Sequence, residues 1–207
     1  MTQAPRPGRG GRPAQISVDR ITAAAIDLLD RGGPEALTMR RLGSHLGVAA
    51  MSLYRHVPGR DAVISKVVNR LFATALTGLD AGETWTQALT DFATAYRRML
   101  LDHPHAVPLL ATHPVDPDTA LPLLAALLDR FTTAGIDTDE ALIRIQSVGV
   151  YTLGHALAQV GRPPGTEDAN TDAVPADDPA ALAYYQRWFD AGLHAMITGF
   201  DGGRPPG

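Results

Sequence analysis

The chain has 207 residues, of which 45% are apolar and 19% are charged, so it can bury a core and is not a disordered tail. It contains no Cys, which excludes a disulfide framework, a thiolate metal site and a cysteine nucleophile. The net charge of −4 divides into +6 on residues 1–70 and −10 on residues 71–207. A basic N-terminal end is typical of a segment that binds a polyanion, with ordinary solvated surface charge as the alternative.

No targeting or membrane segment is evident in the sequence. The N-terminus lacks the apolar stretch of a secretory signal, and the longest uncharged apolar run is the nine residues 120–128. A membrane-spanning helix needs about 20 apolar residues. We therefore expect a cytoplasmic protein without a membrane partner.

The first fifteen residues carry Arg6, Arg9 and Arg12 among glycines and prolines. This composition predicts a flexible basic arm, which either contacts DNA or is a plain disordered tail. Ser17 is a good N-cap for the first helix, which we expect to close at residues 31–33.

Two short helices joined at Gly47 are predicted next. Thr38 caps the first, and the second spans residues 49–56 and ends before Pro58, because a residue that precedes proline is pushed out of the helical region. Gly43 is small enough to let the second helix pack closely across the first. This pattern predicts a helix-turn-helix whose second helix reads a DNA groove. An ordinary helical hairpin is the alternative.

The remaining chain is helical by its three-to-four-residue apolar spacing. Helices are expected at about residues 60–79, 85–103, 117–135, 137–161 and 179–200, with a loop at 162–178. An Asp N-cap followed by Pro starts two of them, at Asp116 and Asp178. No segment alternates for long enough to be a strand. The predicted fold is all-α, with a three-helix helix-turn-helix domain at 16–62 and a helical ligand-binding and dimerisation domain at 63–202.

The run from Ile21 to about Val68 resembles the DNA-binding domain of the tetracycline-repressor (TetR) family. The matching residues are Leu37-Thr38, Arg40, Leu46-Gly47-Val48, Ser52-Leu53-Tyr54, His56-Val57 and the helix from Arg60. The rest of the chain resembles the family in its all-helical architecture. The resemblance implies a homodimer that binds a palindromic operator and represses transcription until a small-molecule effector releases it.

The resemblance also implies which side chains contact DNA. Seven residues match contacting positions of the family: Thr38, Arg40, Ser52, Tyr54, Arg55, His56 and Arg60. Residues 49–51 are Ala, Ala and Met where relatives present a Gln, so Arg55 becomes the best candidate for reading a guanine. Such a bidentate contact is worth about 1–3 kcal/mol of discrimination. Arg60 is expected to meet the phosphate backbone.

An effector pocket between helices needs a mostly apolar lining with a few polar groups. Candidate lining residues are Phe92, Tyr96, Met99, Leu124, Leu128, Phe131, Val148, Tyr151 and His155. Tyr151 and His155 are the favoured pair because they bring polar groups into a buried region. The alternative is that this apolar stripe is ordinary core.

Three histidines, His103, His105 and His113, raise the question of a metal, because a member of the resembled family takes its drug as a magnesium chelate. Their spacing is not that of helical metal ligands, and the sequence identifies no partner carboxylate. We therefore predict no metal site and no cofactor.

Two apolar faces are candidates for the dimer interface. One comprises Leu142, Ile145, Gly149, Thr152 and Ala156, and the other comprises Leu182, Phe189, Leu193, Met196 and Phe200. Two copies of each helix could form a four-helix interface. The alternative is that these faces close the protomer's own core.

The expected mechanism is a change in the tilt of the helix that begins at Arg60, which alters the separation of the two recognition helices. Those helices must lie roughly 34–36 Å apart to read both half-sites. Two other functions fit the sequence less well. A nonspecific DNA-coating protein conflicts with the acidic C-terminal part. An all-α enzyme lacks support because the sequence has no Walker loop, His-Glu-x-x-His or Gly-x-Ser-x-Gly motif.

Overall fold

The computed structural model describes residues 16–80, 82–161 and 178–202, and within these ranges every regular element is helical, which confirms the all-α prediction. The helices are α1 (Val18–Gly32), α2 (Met39–Leu46), α3 (Ala50–Leu53), α4 (Arg60–Leu76), α5 (Trp85–Asp102), α6 (Val107–Thr112), α7 (Pro117–Thr133), α8 (Thr138–Val160) and α9 (Pro179–Gly202). Two 3₁₀ turns, Pro34–Ala36 and Pro104–Ala106, precede α2 and α6. The predicted arm and residues 162–177 of the predicted loop lie outside the described residues.

The predicted N-caps Ser17 and Thr38 are confirmed, and Asp137 caps α8 in the same way. The side chains of Ser17, Thr38 and Asp137 each accept a hydrogen bond from the backbone N–H three residues later. Asp116 departs from its predicted capping role, because its carboxylate makes no bond to α7 and instead accepts from the amide of Asn69 on α4. The carboxylate that was expected to cap α7 is therefore bound by the Asn69 amide, 47 residues earlier in the chain.

Several helix bounds differ from the prediction. The second helix of the helix-turn-helix is a single α-helical turn, Ala50–Leu53, and residues 54–56 continue as turns held by the His56 N–H bonding to the Leu53 carbonyl. Helix α4 ends at Leu76, since Thr77 adopts an extended conformation and Gly78 follows in the left-handed region with φ +75°. Helix α6 was not predicted, since its six residues are too few to show a helical period.

The N-terminal helices enclose a small apolar core. Fully buried side chains from each element meet there: Ile21 and Leu29 of α1, Leu42 of α2, Leu53 of α3, and Val63 and Ile64 of α4. The core therefore includes the first turns of α4, so α4 runs through the predicted domain boundary between residues 62 and 63. That boundary stays a prediction.

Helices α4–α9 pack around the continuation of the same apolar cluster, which α5 and α8 cross. The Trp85 and Phe131 rings lie 5.3 Å apart between α5 and α7, and the Arg144 guanidinium of α8 lies over the Trp85 ring at 5.1 Å. Among the helices the structure describes, none is both long and apolar enough to cross a bilayer.

Candidate DNA interface and ligand cavity

Helix α3 and the turn after it present an exposed surface. Tyr54, Arg55 and His56 are exposed, Ser52 is half-buried, and Met51 projects with 75% of its surface accessible. Leu53 and Val57 point the other way and anchor the segment in the core. One anchored turn with adjacent exposed hydrogen-bonding side chains suits entry into a DNA major groove.

Gly43 permits the approach of α3 to α2. A Cβ atom at this position would lie 2.9 Å from the Val48 carbonyl oxygen and 3.1 Å from the Ala50 nitrogen. The turn itself is formed at Gly47, which adopts a left-handed conformation with φ +72° and ψ +30°. Both glycine predictions are confirmed in geometry.

The first helix of the motif presents Thr38 and Arg40, both exposed. The Thr38 hydroxyl accepts a hydrogen bond from the Arg41 N–H at 3.2 Å and so caps α2. A capping hydroxyl still carries a proton to donate, and it lies at a helix N-terminus, where phosphate oxygens are favoured. Its predicted phosphate contact is compatible with this geometry.

Arg60, which was predicted to meet the phosphate backbone, is exposed and also bonds within the chain. Its Nε donates to the Leu37 carbonyl at 2.8 Å, and its Nη2 donates to the Pro34 carbonyl at 3.1 Å. These bonds tie the start of α4 to the loop before α2. The guanidinium is therefore engaged within the chain, and its local role is to position α2 relative to α4.

A cavity of about 400 Å³ lies between helices α4, α5, α6, α7 and α8. Its lining residues are Phe72, Phe92, Tyr96, Leu110, Val115, Leu124, Leu142, Ile145, Gln146, Gly149, Val150 and Leu153. None of them is charged. Burial raises the pKa of Tyr96 to about 12, so its hydroxyl stays protonated at neutral pH and offers a hydrogen bond without charge.

Three of the predicted ligand residues, Phe92, Tyr96 and Leu124, line this cavity. The other predicted residues do not: Met99, Leu128, Phe131, Val148, Tyr151 and His155. The favoured pair faces α9 instead, where the Tyr151 hydroxyl bonds to the Trp188 and Phe189 carbonyls at 3.1 and 3.0 Å. Phe72 of α4 was missed because the cavity depends on how far α4 extends past the DNA-binding core.

His155 is buried in an aromatic cluster with Tyr185, Trp188 and Phe189 at ring distances of 5.9, 4.7 and 5.3 Å. Burial is the main cause that lowers the pKa of His155, and the positive charge of Arg97 on α5 lowers it further. Asp190 and a backbone hydrogen bond involving Tyr185 oppose this shift. The neutral ring is therefore the stable form at neutral pH.

This burial predicts acid sensitivity. Below the unfolded-state pKa of about 6.5, the unfolded chain takes up a proton that the folded His155 resists, so the free energy of unfolding falls as the pH falls through that value. We expect the decrease to be smaller in His155→Phe. Urea denaturation between pH 7.5 and 5 at fixed protein concentration measures it, with His194→Phe on the exposed side of α9 as the control. Parallel pH profiles for the wild type and His155→Phe would contradict the assignment.

The three histidines considered for a metal are engaged within the chain. His103 Nδ1 lies 3.0 Å from both carboxylate oxygens of Asp30, and His105 Nδ1 lies 3.0 Å from the Asp30 carbonyl. His113 Nδ1, just after α6, lies 3.2 Å from the Leu109 carbonyl of that helix. The carboxylate partner of His103 is therefore Asp30, 73 residues earlier in the chain. The contacts of His103 and His105 fasten the α5–α6 connection to the end of α1.

Most residues of the faces proposed for dimerisation are used inside the protomer. Ile145, Thr152, Ala156, Phe189 and Leu193 are buried. Leu142 and Gly149 line the cavity. For these residues the alternative, that the faces close the protomer's own core, is the observed arrangement, whereas Leu182 of the second face is exposed. Other large apolar side chains are exposed, namely Ile143, Val150 and Leu157 of α8 with Tyr184 and Trp188 of α9. We call this set the α8/α9 outer face.

Comparison with family models gives two matches. The model described as bacterial regulatory proteins, tetR family, matches residues 21–67, and the model described as tetracyclin repressor-like, C-terminal domain, matches residues 77–203. An HTH-type transcriptional regulator from Saccharopolyspora erythraea is 30% identical over 198 residues, covering 89% of this chain and 84% of the relative. Tetracycline repressor protein class E of Escherichia coli is 30% identical over 90% of this chain and 92% of that protein.

Solved structures share the fold. A TetR variant from Acinetobacter baumannii AYE, in complex with minocycline, has a TM-score of 0.75 at 22% identity and covers 93% of this chain and 100% of that chain. ActR from Streptomyces coelicolor, in complex with actinorhodin, has a TM-score of 0.71 at 25% identity and covers 92% and 97%. The similarity therefore extends over both the helix-turn-helix and the cavity-bearing helices.

Proposed function

Because this chain belongs to the TetR family of bacterial regulatory proteins, we propose that it represses transcription as a homodimer on a palindromic operator and is released by a small-molecule effector. It is a ligand-responsive transcriptional regulator that contacts DNA through its helix-turn-helix. The main support for the mechanism is the position of α4. Its first residue, Arg60, is bonded to the loop before α2, and Phe72 on the same helix lines the cavity.

The proposed effector is an uncharged, largely apolar and aromatic molecule. The cavity has no charged residue to balance a ligand charge, and burying an unpaired charge is costly. The Phe72 and Phe92 rings offer apolar contacts, while the Tyr96 hydroxyl and the Gln146 amide offer hydrogen bonds. A volume of about 400 Å³ falls in the range of small-molecule sites. The ligands named in the related structures, minocycline and actinorhodin, are consistent with an organic effector.

The proposed dimer uses the α8/α9 outer face. Large apolar side chains that remain exposed near one another are typical of protein–protein interfaces. Val150 is 65% exposed and Tyr184 is 57% exposed, although both belong to helices that otherwise pack inward. We propose that residues 16–62 bind DNA and residues 63–202 form the ligand-binding and dimerisation part. We further propose that the protein acts in the cytoplasm, where operator DNA is found, and has no catalytic activity or cofactor.

Selection of bound duplexes from a random pool tests this function. We expect a palindromic winner whose half-sites are centred about one DNA turn apart, and loss of binding when an uncharged aromatic effector is added. Equal binding of all duplexes would instead support a nonspecific DNA-coating protein. A unique duplex that no compound of this class releases would contradict the proposed effector class.

Replacing Arg55 by alanine should relax the operator preference at one base position in each half-site by about 1–3 kcal/mol. Arg55 is exposed beside α3, so its removal leaves the core intact. Competition binding with every single-base variant of the selected operator measures the change. Arg41, exposed on α2, provides the matched control, and Arg41→Ala should change affinity without changing base preference. Unaltered base preference in Arg55→Ala would show that Arg55 does not read a base.

A further inference from the structure

Asn69 is a buried polar residue in the middle of α4, with only 9% of its surface exposed. We propose that its hydrogen-bonded pair with Asp116 carries the effect of cavity occupation to the DNA-binding helices. This inference rests on the proposed function and specifies how the cavity regulates DNA binding.

The pair is reciprocal. The Asn69 Nδ2 donates to the Asp116 carboxylate, and the Asp116 backbone N–H donates to the Asn69 Oδ1 at 2.9 Å. One side-chain amide thus holds both the backbone and the side chain of the residue that starts α7. Two bonds of opposite direction define the relative position of α4 and α7 at this point more tightly than apolar contact does.

The pair lies at the edge of the cavity. Val115, the residue immediately before Asp116, lines the cavity, and so does Phe72, which follows Asn69 by three residues on α4. A molecule that enters the cavity between Val115 and Phe72 presses on the residues that flank the pair. The Asp116 backbone cannot shift relative to α4 without lengthening or breaking the bond to Asn69.

Helix α4 is bonded to the DNA-binding helices at two points. Arg60, at its first residue, donates to the carbonyls of Pro34 and Leu37. Arg70, the neighbour of Asn69, donates from Nη1 to the Asp19 carbonyl of α1 at 3.2 Å. Asn69 follows Arg60 by nine residues, which is about 14 Å along a straight helix. Since α4 is a continuous helix, a tilt imposed at Asn69 moves the loop before α2 together with α1.

The pair can transmit the signal only if it is intact in one tilt of α4 and distorted in the other, because coupling requires a difference between two states. Breaking the pair should then leave both ligand binding in the cavity and DNA binding intact. What is lost is the dependence of one on the other. Asp116 is exposed, so loss of Asn69 leaves its carboxylate in water and does not bury a charge.

The absence of native Cys allows the cavity to be filled covalently. Gly149 lines the cavity, and a Cβ at this position meets only the Phe92 ring, at 3.9 Å. Gly149→Cys labelled with benzyl methanethiosulfonate places an uncharged aromatic group there. Ala126→Cys, on the exposed side of α7, carries the same label outside the cavity. Affinity for the selected operator is measured with and without the label, after mass spectrometry confirms complete labelling.

We expect the label at residue 149 to lower operator affinity at least tenfold and the label at residue 126 to leave it unchanged. Adding Asn69→Ala should reduce the effect of the residue 149 label to less than threefold. Asp116→Ala retains the backbone bond to Asn69 and should give an intermediate loss, which also tests the pair if Asn69→Ala does not fold. Asp118 is an exposed acidic residue in the same turn. In Asp118→Ala the label at residue 149 should lower operator affinity as much as it does when Asn69 and Asp116 are both unaltered.

A full response to the label in both Asn69→Ala and Asp116→Ala would overturn the role of the pair while leaving the proposed function intact. No response to the label in the unaltered pair would overturn the proposed regulation by the cavity and this inference with it.

Discussion

Replacing Gly43 by alanine should lower operator affinity at least tenfold, and replacing it by valine should abolish sequence-specific binding, while the C-terminal helices remain folded. The reason is steric. The added Cβ would lie 2.9 Å from the Val48 carbonyl oxygen and 3.1 Å from the Ala50 nitrogen, distances that real Cβ contacts rarely or never show. Both neighbours are backbone atoms, one in the turn before α3 and one in its first residue, so neither can rotate away as a side chain would.

The only relief is to move α3 away from α2. Overpacking of this kind costs about 1–3 kcal/mol, and a cost of 1.4 kcal/mol corresponds to a tenfold change in an equilibrium constant. Displacement of α3 also moves Tyr54, Arg55 and His56 from the positions in which they meet DNA. In a homodimer α3 is displaced at both half-sites, so the loss of operator affinity is larger than the displacement in one protomer would cause.

The matched control is Ser44→Ala, the next residue along α2, whose side chain is exposed. It should bind the selected operator like the wild type. Fluorescence anisotropy with labelled operator measures affinity, and circular dichroism with thermal melting measures the helical content and stability of each variant. Operator binding by Gly43→Val equal to that of Ser44→Ala would show that close packing of α3 on α2 is not required for DNA recognition.

Local signals made the N-terminal elements predictable. Ser17 and Thr38 cap their helices with contacts three residues away, and Gly47 supplies a left-handed turn, so each feature is determined within a few residues. Asp116 shows the limit of such reasoning. It precedes a proline as a helix cap does, yet its carboxylate bonds to Asn69, a partner that only the packing of α4 against α7 brings near.

The cavity was harder to predict for the same reason. Helix α8 carries apolar side chains on several faces, so its periodicity identifies a helix without showing which neighbour each face meets. Ile145 and Gly149 face the cavity, Thr152 and Ala156 face the core, and Val150 reaches the exposed surface at the cavity edge. His155 looked like a ligand group because it is polar and buried. Its actual surroundings are aromatic side chains from α9, which the sequence places 30 or more residues away.

Replacing Ala191 by arginine should convert the proposed dimer to a monomer and reduce operator affinity at least about a hundredfold. Ala191 is an exposed small residue of α9. At 100° per residue it lies on the same side of the helix as Tyr184 and Trp188, two residues of the α8/α9 outer face. Alanine and arginine are both strong helix formers, so the substitution leaves the protomer's own fold intact.

Two copies of the interface related by a two-fold axis would bury two added guanidinium groups with no carboxylate introduced to pair with them. Burial of an unpaired charge costs several kcal/mol per ion, and each 1.4 kcal/mol weakens association tenfold. A monomer reads one half-site at a time and loses the advantage of binding two linked sites, so its operator affinity falls with the dimer.

Ala183→Arg is the control, because Ala183 is also exposed on α9 but lies on the side that carries Arg187, Asp190 and His194. It adds the same charge and bulk outside the proposed interface. Sedimentation equilibrium gives the mass of each variant, and anisotropy gives its affinity for the full operator and for a single half-site. If the outer face forms the interface, Ala191→Arg binds the half-site like the wild type and loses only the preference for the palindrome. A dimeric mass for Ala191→Arg would place the interface elsewhere, and a monomeric wild type would remove the dimer from the mechanism, leaving the tilt of α4 to act on a single half-site.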